Sequence, residues 1–129
     1  MTQEDRDLLL KDLCARLPYR VKVAFFNEDL TYHSKPKTLI GIECINNVNY
    51  SRLEAEDGNT TIVEFVKPYL FPMSSMTKEQ NLEFLSTCIG GNAYHPTYKS
   101  FDWLDKNLFD YRGLIPMGLA NDATGLNIY

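Results

Sequence analysis

Histidine and cysteine are the residues through which a short chain most readily performs acid–base, nucleophilic or metal chemistry. This sequence has two histidines, His33 and His95, and three cysteines, Cys14, Cys44 and Cys88. Neither histidine lies at a spacing typical of zinc ligands, and the cysteines are too widely separated for a Cys-x-x-Cys clip. The pattern therefore predicts no metal site, no cofactor and no catalytic residue.

The cysteines could still act as nucleophiles, because a Cys–His pair needs to meet only in the folded chain. Cys44 and Cys88 lie in segments that we expect to be apolar and buried. Apolar surroundings disfavour the reactive thiolate, so we expect the thiols, including that of Cys14, to be buried and inert.

A pocket between sheet and helices is the remaining enzymatic or ligand-binding alternative. It would combine one of the two histidines with a carboxylate or a phenol from the last third of the chain, namely Asp102, Asp110 or Tyr111. Such a site would be that of a small enzyme or of a small-molecule-binding domain.

Aromatic side chains and one arginine give the last third of the chain the composition of an interaction surface. The candidate surface consists of Trp103, Phe109, Tyr111 and Arg112. Tyr111 and Arg112 follow a predicted helix in a loop, where functional groups are common. Core packing is the alternative for the others, since small domains also bury Phe and Trp. The sequence thus favours a non-enzymatic interaction or regulatory module that binds a protein partner or a second copy of itself.

The charge balance bears on the class of partner. The formal net charge is −4 over 129 residues, so no overall positive field attracts a phosphate backbone, and nucleic acid is an unlikely partner. A nucleic-acid-associated regulator would need a local basic face drawn from Arg16, Arg20, Lys22, Lys35 and Lys37. No apolar run approaches the length of about 18 residues that suggests a membrane span, and the acidic start is unlike a secretory signal, so we expect a cytoplasmic protein.

Three helices are predicted from apolar spacing and capping residues. The first begins after Thr2, carries Leu9 and Leu13 on an apolar stripe that includes Cys14, and ends at Pro18. The second begins at Thr77 and carries a stripe of Leu82, Leu85 and Ile89 before Gly90-Gly91. The third begins near Ser100, with Phe101, Leu104 and Leu108 on its stripe.

Strands are predicted between the first two helices. Period-two alternation marks residues 20–25 and 38–44. A turn expected at Asn46-Asn47 leads into a strand at residues 48–54, and a turn expected at Asp57-Gly58 leads into the β-branched residues 60–63. Pro68 and Pro72 predict an irregular connector, and residues 109–129 a mostly irregular tail. Together these elements predict a single α+β domain over residues 1–129, in which an antiparallel meander of three to four strands is packed by an N-terminal helix and two C-terminal helices.

Long stretches of the sequence resemble a group of short uncharacterised proteins from gut Bacteroidetes bacteria and their phages. The likeness lies in residues 8–19 (LLLKDLCARLPY), 66–77 (VKPYLFPMSSMT), 98–104 (YKSFDWL) and 109–120 (FDYRGLIPMGLA). The resemblance implies a cytoplasmic protein of bacterial or mobile-element origin, a setting in which small proteins often bind and modulate a host or phage component. It carries no catalytic or binding residue over to this chain.

Overall fold

The computed structural model describes residues 1–44, 51–90 and 94–129. Within these ranges the helices are α1 (Gln3–Arg16), α2 (Lys78–Leu85) and α3 (Tyr98–Lys106). The strands described there are β1 (Lys22–Phe25), β2 (Lys37–Cys44), β3 (Ser51–Ala55), β4 (Thr60–Thr61), β5 (Val66–Pro72), β6 (Phe109–Asp110) and β7 (Asn121–Asp122). The α+β class is confirmed.

All seven strands belong to one sheet, in the order β4-β3-β2-β1-β5-β6 with β7 also paired to β5. The pairs from β4 to β5 are antiparallel, but β6 and β7 pair with β5 in parallel. The expected purely antiparallel meander of three to four strands is therefore wrong. Parallel neighbours need a long crossover connection, and α2 and α3 supply it between β5 and β6.

The hairpin predicted at Asp57-Gly58 is confirmed. It joins β3 to β4, with Leu53 opposite Thr61. Gly58 has a φ of +86°, a left-handed conformation that glycine adopts without steric cost, and Asn59 N donates to the Asp57 carboxylate at 3.0 Å. The turn predicted at Asn46-Asn47 lies outside the described residues.

The segment between the two prolines is a strand and not the predicted irregular connector. Residues 66–68 of β5 pair with β1, whereas residues 69–72 pair with β7 and β6. Pro68 closes the first set of pairings and Pro72 closes the second. A proline disrupts a sheet only where its missing N–H would be needed, so prolines at these two ends are compatible with an internal strand.

Helix α1 covers one face of the sheet. Its cap is as predicted, with Asp5 N donating to the Thr2 hydroxyl at 3.1 Å. Leu9 and Leu13 are completely buried and belong to the core cluster with Val23 and Leu53. Cys14 is exposed, so its predicted burial is wrong: it lies one residue beyond the buried Leu13, on a more solvent-accessible side of the helix.

The second helix begins as predicted but ends early. Thr77 and Gln80 form a reciprocal capping box, with Gln80 N donating to Thr77 Oγ1 at 3.1 Å. The helix stops at Leu85, where the hydroxyls of Ser86 and Thr87 bond back to the carbonyls three residues earlier. Its predicted apolar stripe is not buried, since Leu82 is 68% exposed and Ile89 is 64% exposed.

The tail after β6 docks on the core. Leu114, Leu119 and Ala123 are buried there. The last aromatic residue, Tyr129, places its hydroxyl where β1 and β5 diverge: Lys22 N donates to it at 2.8 Å, and it donates to the Tyr69 carbonyl at 2.6 Å. Desolvation at this point raises the pKa of the Tyr129 phenol.

We expect Tyr129→Phe to lower the free energy of unfolding by about 0.5 to 1.5 kcal/mol, because it removes a hydroxyl that bridges two strands. The measurement is urea unfolding followed by circular dichroism. Tyr32→Phe is the matched control, since the structure gives the exposed Tyr32 hydroxyl no hydrogen bond among the described residues. Equal stability of the two variants would contradict a bridging role for Tyr129.

Candidate functional site

A buried ion pair lies beneath the candidate interaction residues. Asp12 and Arg16 are one helical turn apart on the inner side of α1, and both side chains are completely buried. Arg16 Nε lies 3.0 and 2.9 Å from the two carboxylate oxygens of Asp12. Arg16 Nη2 donates to the carbonyl of Phe109 at 2.6 Å, so the pair ties α1 to β6.

The ion pair extends into a network with one residue of α3 and two residues that follow β6. Arg112 Nη1 lies 2.7 Å from Asp12 Oδ1 and 3.8 Å from Asp105 Oδ1. The Tyr111 hydroxyl donates to the same Asp105 oxygen at 2.8 Å. Two cations thus face two carboxylates, and we call Asp12, Arg16, Asp105, Tyr111 and Arg112 the ion network. Burial raises the pKa of Asp12, while its two arginine partners act in the opposite direction.

The ring of Tyr111 is held on several sides. The guanidinium of Arg112 lies 4.5 Å from its centroid and that of Arg16 lies 5.4 Å away. The ring of Phe101 contacts it at a centroid distance of 5.4 Å. Desolvation, with the Asp105 hydrogen bond, raises the pKa of Tyr111 to about 12. Tyr111 is therefore a fixed, neutral phenol at the base of α3.

An exposed aromatic surface begins at this ring. Phe101 is 43% exposed, and Tyr98, one helical turn before it, is 73% exposed. Tyr98 and Ile89 line a groove of about 340 Å³ formed by residues 86–89 and 97–99. We call Ile89, Tyr98, Phe101 and Tyr111 the α3 face, and the cavity at its end the α3 groove.

The predicted interaction residues divide between core and surface. Phe109 is 2% exposed. The Trp103 ring stacks on the Phe109 ring, nearly parallel to it and with 5.7 Å between the ring centroids, so these two rings contribute to internal packing. The side chain of Arg112 is 14% exposed and directed at Asp12. Of the four predicted residues, Tyr111 is the one that joins the α3 face. The interaction role of all four stays a prediction.

Two residues of the α3 face differ from what their spacing predicts. The apolar spacing places Phe101 and Ile89 on helical stripes of the kind that pack on a core, but both are exposed. Asp12 and Arg16 share the inner side of α1 with Leu9 and Leu13. The sequence signal for this buried ion pair is two opposite charges four residues apart on the same side of the helix as the leucines.

Within the described residues, the two histidines lie apart from each other and from the cysteines whose side chains the structure describes. His33 is exposed and stacks on Phe26 at 5.6 Å. His95 is exposed and pairs with Ile89 through its backbone, outside the lining of the α3 groove. Cys88 is half-buried in that groove, and the Cys44 side chain lies outside the described residues. Over the described ranges no three His, Cys, Asp or Glu residues are grouped as metal ligands.

The basic residues that a nucleic-acid partner would need are partly engaged elsewhere. Arg16 is buried in the ion network, and Lys37 pairs with Asp57 at 2.7 Å. Lys22 Nζ lies 3.2 Å from the Thr38 hydroxyl. None of the helices in the described part of the chain has the length and apolar character needed to cross a membrane.

Comparisons with known proteins identify no relative of this chain. No family model matches it, and no significant match was found among curated proteins or among solved structures. Function must therefore be inferred from the geometry of the molecule.

We expect Asp12→Ala to destabilise the fold by about 3 to 5 kcal/mol, because it leaves the buried Arg16 without a compensating charge and leaves Arg112 only the more distant Asp105. Chemical unfolding measures the effect. Asp102→Ala is the control, since Asp102 is an exposed carboxylate of α3, and it should change stability by no more than about 0.5 kcal/mol. A loss for Asp12→Ala no larger than that of the control would show that the network is energetically neutral.

Stability should also fall in alkali through Tyr111. Its pKa rises from 10.0 to about 12 on folding, so the unfolded chain loses this proton first. The contribution of the neutral phenol is complete below pH 10 and is lost as the pH rises to about 12. We expect the free energy of unfolding to fall less steeply over this window in Tyr111→Phe than in the wild type, and parallel curves would contradict the assignment.

Proposed function

We propose that the protein is a non-enzymatic interaction module that binds another protein through the α3 face. The observation that carries the proposal is that three large apolar side chains, Ile89, Tyr98 and Phe101, stay exposed side by side while the core is closed beneath them. Single exposed apolar residues are ordinary, but a contiguous group of them is typical of a binding surface.

The composition and rigidity of the α3 face support this proposal. Aromatic residues are the anchors that protein interfaces favour. Tyr111 is fixed by Asp105 and by Arg112, and Phe101 packs against its ring, so little side-chain freedom is lost when a partner binds. A regulatory role in the cytoplasm of a bacterium, on a host or phage component, is part of the same proposal and is supported by the resemblance of the sequence.

The test is selection of displayed random peptides on the immobilised protein, followed by fluorescence anisotropy with the selected peptides. Tyr98→Ser/Phe101→Ser should weaken binding about tenfold or more, which corresponds to about 1.4 kcal/mol, because it removes two anchors. Both residues are exposed, so the fold should persist in this variant.

Leu30→Ser/Tyr32→Ser is the matched control, since it removes two side chains that are 60% and 53% exposed on a different loop. Its affinity for the peptides should equal that of the wild type. Failure to select any peptide, or equal losses in both double variants, would refute the proposal. A concentration-dependent dimer in sedimentation that only Tyr98→Ser/Phe101→Ser dissociates would instead assign the face to a second copy of the chain.

A further inference from the structure

The α3 groove has a positively charged lining residue, which the named residues of the α3 face lack. Among the described residues that line it, Lys99 is the one with a charge, and none is a carboxylate. Lys99 belongs to none of the ion pairs formed among the described residues, and its side chain is exposed. The groove also lies at the N-terminal end of α3, where the helix dipole favours negative charge. A carboxylate bound there would therefore meet the Lys99 ammonium and the positive end of the helix dipole.

The hydroxyl groups of the groove wall bond to the protein itself. Thr97 Oγ1 donates to the Thr87 carbonyl at 2.9 Å, and Ser100 Oγ accepts from Thr97 N at 2.8 Å. The Thr87 hydroxyl lies 2.9 Å from Ser100 Oγ. These bonds join the end of α2 to the start of α3 and preform the wall. A partner consequently finds apolar contacts with Ile89 and Tyr98 and one unpaired cation.

From this combination we infer the class of partner: a peptide segment of another protein in which a bulky apolar side chain lies next to an aspartate or glutamate. The volume of about 340 Å³ lies near the lower end of the range of about 300 to 1,000 Å³ for ligand pockets, which is room for one large side chain. The apolar side chain enters between Ile89 and Tyr98, and the carboxylate pairs with Lys99. This inference rests on the proposed function, because it names what the α3 face binds.

A second copy of the chain fits the groove less well. A two-fold contact centred on the groove would bring Lys99 against Lys99 of the other copy, with no carboxylate in either lining. Like charges at a contact are unfavourable, whereas an acidic segment complements the groove.

The experiment uses the peptides selected on the full chain and the substitution Lys99→Glu. The selected sequences should contain a large apolar residue beside Asp or Glu, and Lys99→Glu should weaken their binding about fivefold or more. Lys106→Glu is the matched control, because Lys106 is an exposed lysine in the last turn of the same helix and outside the groove. It should leave the affinity unchanged.

A peptide variant isolates the pairing itself. Replacing the acidic residue of the peptide by its amide should weaken binding to the wild type. The same replacement should strengthen binding to Lys99→Glu, because it removes the repulsion between the two carboxylates, and this opposite response identifies a direct pairing. Unfolding does not explain a loss, since a glutamate in the first turn of α3 is favourable to the helix dipole and thermal denaturation checks the fold.

The outcomes separate this inference from the proposed function. Two outcomes would overturn the partner class and keep the α3 face as a binding surface. One is that the selected peptides contain no acidic residue. The other is that Tyr98→Ser/Phe101→Ser abolishes binding while Lys99→Glu leaves it unchanged. Binding that is insensitive to both variants, or a selection that yields no peptide, would overturn both.

Discussion

The ion pair of Asp12 and Arg16 lies completely inside the protein, and the surrounding structure has to compensate its desolvation. Two charges removed from water are tolerated only when each finds several partners in good geometry. Here the partners are the Phe109 carbonyl and the Arg112 guanidinium, which come from the other end of the chain. The position of the segment that follows α3 is therefore fixed by electrostatics as well as by apolar packing. Next to it, the Asp110 carboxylate accepts from Leu114 N and Ile115 N, both at 2.8 Å, and holds the following turn.

The ion network sets the positions of the aromatic side chains Tyr111 and Phe101 in the α3 face. Arg112 is directed inward by Asp12, and in that position its guanidinium covers one side of the Tyr111 ring. The Tyr111 hydroxyl is held by Asp105 from α3, so helix and ring are locked together. Phe101 then packs on a ring that is held by a hydrogen bond and by a guanidinium, which favours a defined orientation of this exposed aromatic side chain. The stability of the fold and the orientation of the α3 face thus depend on the same charged residues of the ion network.

Much of the local structure could be predicted from the sequence, because it depends on nearby residues. The cap at Thr2, the capping box at Thr77 and the turn at Asp57-Gly58 are short-range hydrogen-bonding patterns, and all three are present. The parallel strands β6 and β7 were missed because two residues carry no periodicity, and they exist only because β5 offers an edge to them. The exposure of Phe101 and Ile89 was missed for a related reason. Spacing identifies which residues share a side of a helix, but not whether another element covers that side.

The contact between the two ends of the chain has a consequence for the order of folding. Arg16 and the Phe109 carbonyl are 93 residues apart in sequence, and Asp12 and Arg112 are 100 residues apart. On the ribosome, α1 emerges long before its partners, so its Asp12–Arg16 pair must remain hydrated until residue 112 has been synthesised. The core around Leu9 and Leu13 cannot exclude water from this pair at an earlier stage, because the two charges would then be buried without the partners from residues 109–112. Completion of the fold is thereby postponed until residues 109–112 are available, which makes it a long-range event of the kind that slows folding.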